Sequence, residues 1–173
     1  MKMRTGALVF VVLVSAAQAS MLLAQEEGVE EEEHGHVNAV ALFLGGVTHF
    51  GSGDDPNETG FSIGVDYARR VTGRFKVGLL AEYAFTVTER DYIAALPVFA
   101  HLTEELVLVA APGVEFAVGE EGTETHKEAA FLMRFGTIYD VVIDKWVFAP
   151  QVHGDLVSGH WSLVYGIALG IVF

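Results

Sequence analysis

Near the end of the chain His160 and Ser162 stand on either side of Trp161. An imidazole beside a hydroxyl lets a serine act as a nucleophile, because the ring nitrogen takes the proton as the oxygen attacks. That chemistry also needs an acid to orient the ring, and no Asp or Glu follows Ser162. A second candidate lies near the start, where Glu30, Glu31, Glu32 and Glu33 precede His34 and His36. Imidazole and carboxylate both suit divalent metals, which makes His34 and His36 candidate metal ligands. Their spacing matches no closed site, however, and a like-charge run also reads as a solvated tail. The chain has no cysteine, so disulfides and thiol chemistry are excluded. Nothing in these residues asks for a cofactor.

A third set of chemically capable residues is scattered: Asp66, Arg70, Lys76, Glu82, Glu115, Arg134, Asp140, Gln151, His153 and Asp155. The elements that carry them explain why they belong together. From Val37 to Phe173 no sustained 3.6-residue apolar period and no apolar run of helix-spanning length occurs, whereas two-residue alternation recurs throughout. The last run is the clearest. Trp161, Leu163, Tyr165, Ile167, Leu169, Ile171 and Phe173 are bulky and apolar, while His160, Ser162, Gly166, Ala168 and Gly170 between them are small or polar.

Eight such runs can be delimited: Val37 to Thr48, Gly60 to Arg70, Arg74 to Thr88, Tyr92 to Leu102, Leu106 to Val118, Glu128 to Asp140, Trp146 to Leu156 and His160 to Phe173. The first is apolar on both phases, and Val40, Leu42 and Leu44 are assigned outward. In a soluble barrel the greasy phase points inward and the other phase carries solvated charge. Here the second phase is too small to be a solvated exterior, and it fits a narrow lumen. Arg74 to Thr88 is also long against the usual strand of about 5 to 6 residues, as suits a tilted strand whose membrane-spanning part takes about 9 to 11. The fold class expected is all-β, an eight-stranded antiparallel up-and-down transmembrane β-barrel, with the ten residues of the third set forming a polar network in its lumen. An interior of this strand number is just filled by side chains, so opposite charges there must pair. A gated path for ions or small solutes is the sharper alternative, and the acidic excess would favour cations.

Connections are expected to alternate in length. Val71 to Gly73, Thr103 to Glu105 and Ile143 to Lys145 read as tight turns. His49 to Thr59, Glu89 to Asp91, Gly119 to Lys127 and Val157 to Gly159 read as the opposite set, with GSGDDPNE and GEEGTETHKE long and acidic. Pro97, Pro112 and Pro150 fall inside runs, and each removes one ladder donor.

The first residues have the form of a secretory signal: Lys2 and Arg4, then ALVFVVLV from Ala7 to Val14, then small residues. That apolar stretch is shorter than the roughly 20 residues a spanning helix needs. Cleavage after Ala19 or after Ala24 satisfies the pattern, and the second leaves Gln25 at the head of the acidic run QEEGVEEEEHGH. The organisation expected is therefore a signal peptide at 1–24, a disordered acidic and histidine-bearing tail at 25–36 and a barrel domain at 37–173. The chain carries a net charge of -13 with 51% hydrophobic residues and 19 glycines. Such acidity repels phosphates and excludes nucleic-acid binding, and the glycines speak against a helical membrane protein.

YGIALGIVF, from Tyr165 to Phe173, resembles the signal that outer-membrane barrels present to their assembly machinery, with Tyr165, Ile167, Leu169, Ile171 and Phe173 in register. The whole of Val37 to Phe173 resembles the small eight-stranded bacterial outer-membrane barrels. The order of LFLGG, APGVEF, FAPQVHGDLVSG and LVYGIALGIVF behind a Glu- and His-bearing tail is similar to an uncharacterised group among them. The resemblance implies the cell outer membrane, both termini in the periplasm, and contact with outer-membrane lipid, lipopolysaccharide and the assembly machinery. Divalent cations at the acidic loops or tail are a further expectation. The function expected is non-enzymatic, structural or surface-interacting; a narrow conduit for small or apolar solutes is the alternative, and a lipid-modifying envelope enzyme the third. His160 and Ser162 resemble the catalytic pair of lipid A deacylase, also an eight-stranded barrel, but both lie on the inward phase, away from lipid.

Overall fold

A computed structural model describes residues 37–51, 56–87, 89–121 and 124–173. The expected signal peptide at 1–24 and acidic tail at 25–36, with His34 and His36, lie outside the described residues. The rest forms ten strands and, among the described residues, no helix: β1 (Asn38–His49), β2 (Glu58–Arg70), β3 (Phe75–Phe85), β4 (Glu89–Ala95), β5 (Val98–His101), β6 (Leu106–Glu121), β7 (Glu124–Tyr139), β8 (Val141–Ile143), β9 (Trp146–Val157) and β10 (His160–Val172). These make eight staves, because β4 with β5 and β7 with β8 each keep one register across a short gap. The first gap falls at Leu96 and Pro97, which stay tied to both neighbours through Leu96 N to Pro112 O (2.9 Å) and Gly78 N to Pro97 O (2.8 Å). The second falls where Tyr139 and Asp140 come level with Pro150 and Ala149, and Pro150 has no N–H to give.

All pairings are antiparallel, and β10 closes on β1 from Ala39↔Val172 to His49↔Ser162. The circuit from Arg134 through Ala111, Pro97, Gly78, Ala68, Ala39, Val172 and Lys145 returns to its own stave at Asp144, ten residues on. An eight-stranded closure of this kind tilts its strands by roughly 40°. The chain is thus an eight-stranded antiparallel up-and-down β-barrel.

Polarity is inverted relative to a soluble barrel. Leu42, Leu44, Phe61, Val65, Leu79, Phe116, Phe131, Phe148, Ile167 and Leu169 are exposed on the outer wall. Ser62, Glu82, Asp91, Arg134, Gln151, His153 and Asp155 are buried. Buried apolar side chains outnumber them but are mostly alanine and valine, and Phe43 fills a lumen position that glycines leave open. A Cβ on Gly45 would come within 2.5 Å of the Phe43 ring and one on Gly166 within 2.7 Å, so the ring lies over two residues that must stay bare. Outside, near one rim, Phe61, Phe85, Tyr83 and Tyr92 form a ladder of rings 5.0 to 5.7 Å apart, a cross-strand arrangement favoured on pleated surfaces.

Connection lengths do not alternate as expected. Glu89 and Asp91 belong to β4, and the β6–β7 ladder extends to Glu121↔Glu124, so only the connection between β1 and β2 is long. Ladder bonds run between backbone groups and are indifferent to side-chain charge, so an acidic stretch beyond the apolar belt can stay paired. Ile143 and Val157 likewise belong to strands rather than turns. Ser158 and Gly159 both have positive φ, 49° and 91°, which is the two-residue hairpin geometry that follows strand twist.

Candidate functional site

Strand parity sends one side chain in two toward the axis, and three staves meet there in a single ionic network. Arg134 on β7 is the register partner of Asp155 on β9. Its Nε and Nη2 donate to Asp155 Oδ1 and Oδ2, both at 2.7 Å, and its Nη1 reaches across the lumen to Glu82 Oε2 at 2.5 Å. Ser62 Oγ donates to the other Glu82 oxygen at 2.6 Å. A planar fork of donors matches a carboxylate edge on, and here it binds two. None of the four residues is more than 5% exposed. The network spans the lumen from β7 and β9 to β3.

On the side of the chain ends lies a chamber of about 80 Å³ lined by Asp66, Lys76, His101, Asp140, Gln151 and apolar residues that include Phe99 and Ile138. Lys76 Nζ and Asp140 Oδ2 are 3.9 Å apart, while Asp66 Oδ1, Arg70 Nε and His101 Nε2 have no hydrogen-bond partner in the protein. A chamber of this size has room for a few waters beside its polar side chains. His153 packs above it on Gly136, where an added Cβ would run into the His153 Nδ1.

On the opposite side, at the end where β1 leads out and β10 begins, the mouth is acidic. A cavity of about 310 Å³ is lined by His49, Phe50, Glu89, Glu115, Glu128, His160, Trp161 and Ser162 among others. The histidine joined to Ser162 is His49 and not His160: Ser162 Oγ lies 2.9 Å from His49 Nδ1. His49 Nε2 lies 3.4 Å from Asp91 Oδ2, a contact without the alignment of a hydrogen bond, since neither Asp91 oxygen has such a partner in the protein.

Of the ten residues expected in the lumen, Glu82, Arg134 and Asp155 are joined directly, Lys76 and Asp140 form a separate pair, and Asp66, Gln151 and His153 lie near the axis without joining either. Arg70 is half-buried toward the chain-end rim and Glu115 half-buried at the acidic mouth. Among the described residues no cluster of three or more His, Asp or Glu is arranged to hold a metal ion. Tyr165, Ile167, Leu169, Ile171 and Phe173 are exposed on the outer wall of β10 and its end.

No family model matches the chain, and no curated protein matches it. Solved structures do. The N-terminal β-barrel domain of Pseudomonas aeruginosa OprF is 12% identical over 80% of this chain and 100% of its own, with a TM-score of 0.57. Neisserial surface protein A is 13% identical over 80% and 96%, TM-score 0.57. Ail, the attachment invasion locus protein of Yersinia pestis, is 12% identical over 80% and 99%, TM-score 0.53. The fold is that of the small outer-membrane barrels. At such identity the likeness concerns architecture alone.

Sequence reasoning missed three members of these sites: Ser62, His49 and Asp91. The signal for Asp91 was present, because Pro97, Phe99 and His101 share its phase and extending that phase backward through Ala95 and Ile93 reaches it. The same extension of β1 from Phe43 and Val47 reaches His49.

Proposed function

We propose that this protein is an outer-membrane barrel with a structural or surface-interaction role, closed to solutes and non-conducting. The observation that carries the reading is the inverted polarity: a greasy wall around a lumen blocked by Arg134, Glu82 and Asp155. A wall of this kind needs hydrocarbon around it, and its height fits. Trp146 is level with Ile171, and Trp161 precedes Ile171 by ten residues on β10. At about 3.4 Å per residue and roughly 40° of tilt the two indoles are about 26 Å apart along the axis, against an apolar band of about 25 Å flanked by aromatic girdles. In this reading the chain ends lie in the periplasm and the acidic mouth faces outward, where bridging divalent cations bring it against lipopolysaccharide. Tyr165, Ile167, Leu169, Ile171 and Phe173 then serve as the assembly signal. The rival, a conduit, is favoured by the chambers on either side of the block, and it requires the Arg134 network to open.

Two measurements on the refolded mature chain test this. Lipids brominated near the headgroup quench both Trp146 and Trp161, whereas a chain that stays soluble without detergent and unquenched ends the membrane assignment. Planar bilayers stay silent; reproducible single-channel steps defeat the closed reading in favour of the conduit.

A further inference from the structure

We propose that Ser162, His49 and Asp91 form a hydrolytic serine site that cleaves small water-soluble esters entering the acidic mouth of the barrel. The seam between β1 and β10 sets His49 and Ser162 directly opposite each other, and the 2.9 Å from Ser162 Oγ to His49 Nδ1 is hydrogen-bonding distance between a nucleophile and its base. Asp91, only 1% exposed, approaches the far ring nitrogen from β4 at 3.4 Å. Catalytic hydrogen bonds in empty sites are commonly long and tighten with substrate. Asp91 Oδ1 and Oδ2 and His49 Nε2 have no other hydrogen-bond partner in the protein, so nothing competes with that tightening. The acid that no position after Ser162 supplies in sequence comes from a stave earlier in the chain.

The site is reachable. His49 keeps about a quarter of its side chain exposed, and the cavity of about 310 Å³ against Ser162 has Phe50, Val157 and Trp161 on its apolar side. That volume is at the lower end for small-molecule sites. Because Ser162 and His49 point to the lumen, the substrate arrives from water and not from the lipid side. Acidic Glu89, Glu115 and Glu128 around the cavity disfavour anionic esters, which leaves neutral or cationic ones.

The steps balance without a co-reactant beyond water. Ser162 Oγ bonds to the ester carbonyl carbon while its proton passes to His49 Nδ1. The tetrahedral adduct collapses, the carbon–alkoxide bond breaks, and the alcohol leaves with that proton. Water then attacks the acyl-serine by the same relay, releasing the acid and restoring Ser162. Asp91 in its ionised form is a positioning residue: it fixes the tautomer with the proton on Nε2, so that Nδ1 is free to accept. The ring nitrogens are used in the reverse of the usual order. The β10 backbone at Ser162 is paired on both sides, so its amides form no oxyanion hole, a device worth about 10² to 10³ in rate. Activated esters and phosphonates are therefore the probes.

The test treats the refolded full mature chain in detergent with an alkyl fluorophosphonate and maps adducts by mass spectrometry, with 4-nitrophenyl acetate turnover alongside. The adduct is expected on Ser162, forming at least about 10-fold faster than on any other serine. Ser162→Ala removes it, and His49→Gln slows it by about 10² or more, the contribution typical of a general base. Asp91→Asn lowers the limiting rate at least about 10-fold while the half-saturating reagent concentration stays put, a split that a merely structural role does not produce. Folding of each variant is read from its gel mobility before and after boiling. A folded wild-type chain with no preferential adduct on Ser162, or a folded His49→Gln variant labelled at the wild-type rate, overturns the proposal. Neither result bears on whether the barrel sits in a membrane.

Discussion

Arg134→Met tests whether the block in the lumen holds the barrel together as well as closing it. Methionine keeps most of the buried stem and removes the guanidinium that Glu82 and Asp155 share through three charge-assisted bonds of 2.5 to 2.7 Å. Glu82 then retains Ser62 as a partner and Asp155 retains none of those bonds. Removing one member of a buried ion pair costs about 3 to 5 kcal/mol, because the charge left behind is uncompensated. Two carboxylates are stranded here, and one of them still accepts from Ser62, so a loss of about 3 to 5 kcal/mol is expected. At about 1.4 kcal/mol per decade the folding equilibrium falls by roughly 10² to 10⁴. With a urea slope of about 1 to 3 kcal/mol per molar the midpoint drops by roughly 1 to 5 M. The assay is an equilibrium urea titration in lipid vesicles, followed by Trp146 and Trp161 fluorescence and by gel mobility. The triple variant Glu82→Gln, Arg134→Met, Asp155→Asn leaves no stranded charge and recovers most of the loss. An Arg134→Met protein within about 1 kcal/mol of wild type, or a triple variant as weak as the single one, refutes the reasoning.

Other substitutions probe the remaining features. Glu82→Ala with Arg134→Ala empties the middle of the lumen, and planar-bilayer recording should show small cation-selective steps absent from wild type. Gly45→Val forces a side chain against the Phe43 ring and the Tyr165 carbonyl oxygen and should cost about 1 to 3 kcal/mol by urea titration, as overpacking does; Gly73→Ala, with open space around it, should be near neutral. Gly159→Ala puts a Cβ on a residue with φ of 91° and should cost about 1 kcal/mol in the same assay.

Much of this architecture is legible in the sequence because a strand reports its own orientation: Tyr165, Ile167 and Leu169 announce an outward face without reference to any neighbour. What a strand does not report is its height relative to the others. Asp155, Arg134 and Glu82 were each readable as inward, yet which of the ten inward residues meet depends on the stagger around the ring, a property of all the turns together. The ends of strands were obscured for a different reason. The stretch Glu89-Arg90-Asp91 has the composition of a solvated connection, and its backbone is nonetheless paired from Glu89↔Gly119 onward. Composition describes where side chains are comfortable, and outside hydrocarbon a charged side chain is comfortable on a strand as well as on a loop.

The seam between β1 and β10 has a consequence for how the molecule comes into being. It joins the two ends of the barrel domain, with Asn38 and Phe173 exchanging backbone bonds of 2.9 Å and His49 meeting Ser162 across 113 positions of chain. Every other ladder links neighbours along the chain and can zip locally, whereas this one waits for the whole ribbon to curl. Until it forms, two full edges of amides and carbonyls face outward, each unmet group costing several kcal/mol in oil. A half-rolled ribbon therefore has no home in the bilayer core, and losing the final strand strips hydrogen bonds from both its former flanks. In the membrane setting proposed above, insertion and closure are one event for this chain.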